Sequence, residues 1–406
     1  MYMKNILFSF LLLILLYSCE DNNDSIHLSK QLKLSISSTE NDIKLNWSLL
    51  QVESFTQYSV QWSIDKNYWT SLISINDYQT TEYTCPKFGQ YMTVYFRVRV
   101  QYNEYQTSTS NIVELNNPDI FNFSVTPTFA CWWPEEDIIY VANYSSIEKV
   151  NYVSKKSLLI QSINQGINNI YLLDYKGVKE LYILSGNRLL IYNPIDLTKK
   201  DEIVLDNSIF VLTSDDNGHL IVSDYYQITI YDRGTKQKVS SLYTGQNVKL
   251  LFLSSKNQIL ASDNYYMYRY SLSTNGQISL IDNTYYNYSN ELILKTNIAE
   301  SYVVRGVQGN LFDDNMNQIG TIYNIANYNE CNDYTFSNNS IYCSSDESNT
   351  IYQFQLPDLT KINEISLFGV PTFIEYDSNT LYVVIKNSYD NWGNYVYSLE
   401  KITDSK

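Results

Sequence analysis

The sequence predicts an all-β chain in two parts, and three observations carry that expectation. Residues 31–115 are filled by short segments in which apolar and polar residues alternate, the period of strands with one buried face. Further on, SDYYQITIYD from Ser223 returns as SDNYYMYRYS from Ser262, 39 residues later. Related hairpins recur at about that spacing to the C-terminus, the mark of a repeated four-stranded unit.

The composition fits a globular chain. Its 406 residues exceed one average domain, 44% are hydrophobic, and 39 tyrosines stand against only 13 glycines and 7 prolines. A formal charge of −15 and the lack of any Lys/Arg cluster disfavour nucleic acid and anionic surfaces as partners. Five cysteines are too few for a disulfide scaffold, and none forms a CxxC pair for zinc or redox chemistry.

The N-terminus reads as a signal. Lys4 precedes an apolar run over residues 6–16, too short for a permanent span and suited to a signal-peptide core. The following Leu16-Tyr17-Ser18-Cys19 resembles a bacterial lipobox, with residues 1–18 removed and Cys19 lipidated; the alternative is an ordinary secretory signal with an incidental cysteine. Residues 19–30 form an acidic tether opening with Glu20 and Asp21, similar to the stretch that follows the lipidated cysteine in Bacteroidota surface lipoproteins. That resemblance implies an outer-membrane protein held by its lipid and facing the cell exterior. Cleavage would remove one lysine and no acid, leaving −16.

Residues 31–115 predict a β-sandwich, with strands at IKLNW (from Ile43), QYSVQW (from Gln57), VYFRVRVQ (from Val94) and TSNIVEL (from Thr109). Trp47, Tyr58, the YFRVRV run and TSNIVEL in that order resemble a fibronectin type III domain. One departure is Val94, where that family places the tyrosine of its corner. The stretch from Ser63 to Trp69 fits a sialidase-type box apart from its missing glycine, but reads better as a hairpin turn made by Asp65 and Asn67, with Trp69 as the next buried residue. Residues 116–118 are the expected hinge.

From residue 119 to 406 the repeat dominates. Middle hairpins begin at Ile139, Leu181, Leu220, Ile259, Tyr302, Ile341 and Leu381. Seven hairpins about 40 residues apart resemble a seven-bladed β-propeller of the broad YVTN or lactonase-like kind, with six blades as the alternative. The last unit supplies only three strands, so residues 119–125 are expected to complete the last blade.

Loops joining the second and third strands of each unit, with those between units, share one face. On it the sequence places Tyr225, Tyr226, Tyr265, Tyr266, Tyr285, Tyr286, Tyr389 and Trp392, aromatic rings suited to stacking on an extracellular glycan or to a protein interface. The competing reading is that these rings cover blade edges. Asn168, Asn207, Asn247, Asn290 and Asn332 recur at 39, 40, 43 and 42 residues near the start of each innermost strand. They offer amide oxygens suited to a hard cation such as calcium, or they are loop residues that tolerate left-handed backbone.

Enzyme signatures are sparse, with His27 and His219 the only histidines and no GxSxG, HExxH, P-loop or GxGxxG. A non-enzymatic binding module with no required cofactor is the expectation; the alternative is a propeller hydrolase or lactonase with a cation at the channel mouth. Cys331 and Cys343 fall across one hairpin and can pair in an oxidising compartment, although three residues out of register for a two-residue turn.

Only the Cys19 thiol can take the diacylglyceryl group at this site. Cys19→Ser should therefore move the protein from the membrane to the soluble fraction; a variant that stays with the outer membrane would place the anchor elsewhere.

Overall fold

Strand formation here follows the two-residue alternation closely enough that the long strands can be assigned face by face. The computed structural model describes residues 31–38, 42–52, 54–86, 91–103, 106–117, 120–246, 248–286, 293–322, 330–345, 348–367, 369–388 and 395–403. Cys19, Asn247, Asn290, Tyr389 and Trp392 lie outside the described residues. The chain divides into two compact units, residues 1–117 and 118–406.

In the first unit, the strands Leu34–Ser38, Asp42–Trp47 and Glu82–Pro86 form a three-stranded sheet. Phe55–Ser63, Thr70–Ile75, Thr93–Tyr102, Gln106–Thr109 and Val113–Asn116 form a five-stranded one. Along Thr93–Tyr102 the inward residues Val94, Phe96, Val98 and Val100 are buried while Arg99 between them is exposed. Trp47 of the smaller sheet meets Tyr58 of the larger, ring centroids 5.5 Å apart.

Two local expectations change here. TSNIVEL is not one strand but the end of one and most of another, both paired to Thr93–Tyr102. The break falls at Ser110, whose hydroxyl accepts the Val98 N–H at 3.0 Å in place of a ladder carbonyl, while the Asn111 amide bonds both backbone groups of Leu34. Asp65 does make the hairpin turn, accepting the N–H groups of Asn67 and Tyr68 at 2.8 and 3.0 Å. Trp69, however, is half-buried, its open face covered by the Arg97 guanidinium 4.1 Å from the ring.

The second unit contains, among the described residues, seven four-stranded antiparallel sheets. Six are simple meanders over residues 129–162, 169–204, 211–243, 249–285, 294–321 and 333–366. The seventh joins Val370–Asp377, Thr380–Ser388 and Tyr395–Thr403 to the distant strand Ile120–Asn122. Second strands such as Ile138–Ala142 and Ser340–Ser345 are buried at every position, because each sheet is covered on both faces.

Every neighbouring pair of sheets shares its own apolar core. Tyr140 and Ile183 lie in the core between the first and second sheets, Leu184 and Leu220 between the second and third, and Ile230 and Ile259 between the third and fourth. Met267 and Phe312, Val304 and Tyr334, and Tyr342 and Val383 continue the series. The seventh sheet then packs Tyr382 and Val384 against Ile139 and Val141 of the first, so the stack closes on itself. A buried ion cluster reinforces one junction: Arg233 donates to both oxygens of Glu180, at 3.0 and 3.3 Å, and to Asp201 at 3.0 Å. Burial pushes the Glu180 carboxyl up, but hydrogen bonds from Arg233, Tyr182 and Lys200 outweigh it and hold the group below its ordinary range.

Cys331 and Cys343 are joined by a disulfide with Cα atoms 5.8 Å apart. Cys331 sits two residues before the strand Asp333–Phe336, outside the ladder, so the bond does not need the direct opposition that Cys343 has with Tyr334. Cys85 and Cys131 are free thiols.

One buried carboxylate supplements the closing strand. After Ile120–Asn122 pairs with Tyr395–Thr403, Oε2 of the fully buried Glu148 accepts the N–H groups of Ser124 and Val125 at 2.8 and 2.9 Å. Glu148→Ala should leave both donors unpaired and lower the stability of the second unit by about 3 kcal/mol, read as a lower denaturant midpoint. Glu148→Gln, which keeps one acceptor oxygen, should lose less, and an unchanged midpoint in the alanine variant would show that closure does not lean on Glu148.

Candidate functional site

The repeated Ser-Asp phrase is a turn cap. Asp224 Oδ1 accepts the N–H groups of Tyr226 and Gln227 at 2.7 and 2.9 Å, and Asp263 Oδ1 accepts those of Tyr265 and Tyr266 at 2.7 and 2.6 Å. The buried hydroxyls of Ser223 and Ser262 donate to the carbonyls of the same two aspartates. Asp and Ser satisfy the turn's backbone, and the residues after them are turned outward. Burial pushes the Asp224 carboxyl up, but its bonds from Tyr226, Asn207 and Gln227 hold it below its ordinary value.

Tyr225, Tyr226, Tyr243, Tyr265 and Tyr285 are between 41% and 75% exposed, far more than tyrosines that merely cover a core. Tyr225 packs edge-on against Phe210, and Tyr265 lies parallel to Tyr285 at 6.4 Å. Tyr226 and Tyr225 centroids are 6.2 Å apart. Sequence reasoning missed Tyr243, which ends a fourth strand directly opposite Gln227, and Tyr144, which occupies the same capped turn of the first sheet after Asn143. The Asn-Tyr-Ser spelling hides the latter's kinship with Asp-Tyr-Tyr.

Two expected face residues turn inward. Tyr286 donates to the Met316 carbonyl at 3.1 Å and packs against Phe312, because the strand Ile278–Tyr285 ends just before it and the chain bends toward the next sheet. Tyr266 is half-buried, wedged between Tyr268 and Tyr285.

The three recurrent asparagines among the described residues are bonded within the fold. Asn168 Oδ1 accepts the Gly186 N–H at 2.7 Å, Asn207 Nδ2 donates to Asp224 Oδ2 at 2.7 Å, and Asn332 Nδ2 donates to the Pro371 carbonyl at 3.3 Å. Among the described residues, no group of three or more His, Cys, Asp or Glu side chains is arranged to hold a metal ion. His219 is buried at the start of its strand with Nδ1 2.7 Å from Asp215 Oδ2.

No protein-family model matches this chain, and no curated protein matches it. Solved structures do. The crystal structure of RRP9 WD40 repeats aligns with a TM-score of 0.52 at 13% identity, covering 70% of this chain and 98% of that one. The Cps50 (Swd1) beta-propeller domain from Myceliophteria thermophila gives 0.55 at 10% identity, covering 70% and 99%. A chain of the Mitotic Checkpoint Complex gives 0.53 at 12% identity, covering 71% and 91%. The second unit is a β-propeller. Its four-stranded sheets are blades, and the capped tyrosine turns of consecutive blades share one end of the propeller.

First strands of successive blades contact one another, which makes them innermost. On them Lys295 Nζ meets Asp333 Oδ1 at 2.6 Å and the Tyr334 carbonyl at 2.8 Å, while Asp333 Oδ2 accepts the Ile374 N–H at 3.1 Å. Beside this cluster burial pushes the Glu375 carboxyl up from 4.5 to about 7, Lys295 opposing and Asp333 and Asp377 adding to the shift. Between those two pH values the folded chain keeps a proton that the unfolded chain has lost. The stability contribution is thus full below about pH 4.5 and falls as pH rises through 7. Glu375→Gln should flatten that decline in denaturation midpoints measured from pH 5 to 7.5; an unchanged slope would mean Glu375 titrates normally.

Proposed function

We propose that this chain is a lipid-anchored protein of the outer membrane that faces the cell exterior, carried on Cys19. In this reading its seven-bladed propeller binds an extracellular glycan or protein without catalysis, and residues 31–115 form a fibronectin type III-like spacer between lipid and propeller. The observation that carries the binding role is the set of exposed tyrosines on one propeller face, Tyr225, Tyr226 and Tyr265 on the capped turns with Tyr243 and Tyr285 at the ends of the fourth strands beside them. Each exposes a broad ring with a hydroxyl at its edge, the chemistry enriched at recognition surfaces. The low rotamer entropy of tyrosine reduces the cost of ordering such a surface on contact.

A scaffold role agrees with the fold, since one similar chain belongs to a Mitotic Checkpoint Complex. Of the asparagines that suggested a cation site, Asn168 commits its amide oxygen to the Gly186 N–H, while Asn207 and Asn332 donate through their amide nitrogens to Asp224 and to the Pro371 carbonyl.

Arrays of extracellular glycans and proteins, probed with the chain from Leu32 onward, should return a ligand. Tyr226→Ala and Tyr285→Ala together should weaken that binding by about thirtyfold, the equivalent of about 2 kcal/mol, with the thermal midpoint within a few degrees of the parent. Unchanged affinity with a lowered midpoint would make these rings packing residues and overturn the reading.

A further inference from the structure

The other end of the propeller holds a cavity of about 410 Å³, formed where the turns between first and second strands of three consecutive blades converge. These turns are residues 297–301, 337–339 and 378–379. In an antiparallel meander they lie opposite the turns that carry Tyr225 and Tyr265. The volume falls within the range of about 300–1,000 Å³ typical of small-molecule sites.

Its lining has a definite chemistry. Phe336 and Tyr376 supply aromatic rings, Asn338 and Asn379 supply amides, Asp377 supplies a carboxylate, and Ile298 stands fully exposed at the rim. Tyr376 is held in place by stacking on Tyr342 at 5.3 Å and by its N–H bond to Thr335 Oγ1 at 3.1 Å. Asp377 is fixed as well: Oδ2 accepts from the Tyr152 hydroxyl at 2.8 Å and Oδ1 from Ser378 at 3.0 Å. The amide of Asn338 has no hydrogen-bond partner among the described residues, and the Asn379 oxygen takes only a long bond of 3.4 Å from the Tyr376 hydroxyl.

This combination selects among ligands. No lysine or arginine lines the cavity, so a phosphate or carboxylate group would enter beside Asp377 without compensation. A wholly apolar ligand would strip water from two amides and a carboxylate. A neutral pyranose satisfies both demands: its C–H face stacks on a ring, and its hydroxyls donate to Asp377 and exchange hydrogen bonds with the amides. We propose that this cavity binds a neutral sugar, one or two pyranose rings in size, either free or at the end of a polysaccharide. The site goes beyond the tyrosine face and does not depend on it.

The test uses the full chain in a detergent without sugar headgroups and saturation-transfer NMR. Glucose, galactose, mannose, xylose, maltose, cellobiose and lactose are the neutral probes, with glucuronate as the charged comparison. At least one neutral sugar should bind and glucuronate should not. Xylan and amylose fragments ending in the bound sugar distinguish polymer ends from free sugar: tighter binding of fragments assigns a polymer end, equal binding a free sugar, and both support the site. Asn338→Ala with Asn379→Gly, the glycine chosen to keep the left-handed backbone at φ 63, should weaken binding at least tenfold with an unchanged melting temperature. Tyr226→Ala should leave it unaltered. The proposal is overturned if no neutral sugar binds, if glucuronate alone binds, or if binding survives the cavity variants and disappears with Tyr226→Ala, which would return the sugar to the tyrosine face.

Discussion

The pairing of Ile120–Asn122 with Tyr395–Thr403 is the contact on which the second unit depends. A four-stranded blade has two apolar faces and no means of covering either alone. In an open stack, Ile139 and Val141 at one end and Tyr382 and Val384 at the other would meet water; closure sets them against each other. The closing strand is only three residues long, so its own ladder is weak. Glu148 supplements it by taking two further backbone donors in a fully buried position. Because the partners lie at opposite ends of the propeller sequence, this contact is also its most costly in loop entropy.

Once strands are committed to burial, the turns are what remain to meet other molecules. Their chemistry differs between the two ends. At one, aspartate and serine satisfy the backbone and tyrosines are presented outward. At the other, turns of three blades converge and leave a cavity with rings, amides and one carboxylate. Neither arrangement disturbs the blades, since the caps and turns lie beyond the ladders.

What was legible in the sequence follows the range of each interaction. The strand period and the Ser-Asp turns are local, and repetition 39 residues apart made them visible at Ser223 and Ser262. The inward turn of Tyr286 was not legible, because neighbouring tyrosines in one run differ only in where a strand stops. The asparagine series was visible as a position but not as a role: Asn168 bonds the turn at Gly186, and Asn332 reaches the next blade at Pro371. The cavity was invisible for the same reason at greater distance. Asn297, Asn338 and Asn379 fall 41 residues apart, the spacing of the repeat, but that position does not show that side chains from three blades converge on one space.

Closure and cavity share a residue pair. Asp377 belongs to the blade that closes the ring, and the hydroxyl that fixes it comes from Tyr152 of the first blade, whose ring also packs on Tyr382 at 4.5 Å. The cavity carboxylate therefore has both of its oxygens held only when the first and last blades are joined, since Ser378 of its own blade holds the other. A ligand that requires Asp377 in that orientation binds the closed ring in preference to the open one, and by linkage it stabilises closure in proportion to its occupancy. The same hydrogen bond that helps hold the fold shut would then report on whether the cavity is filled.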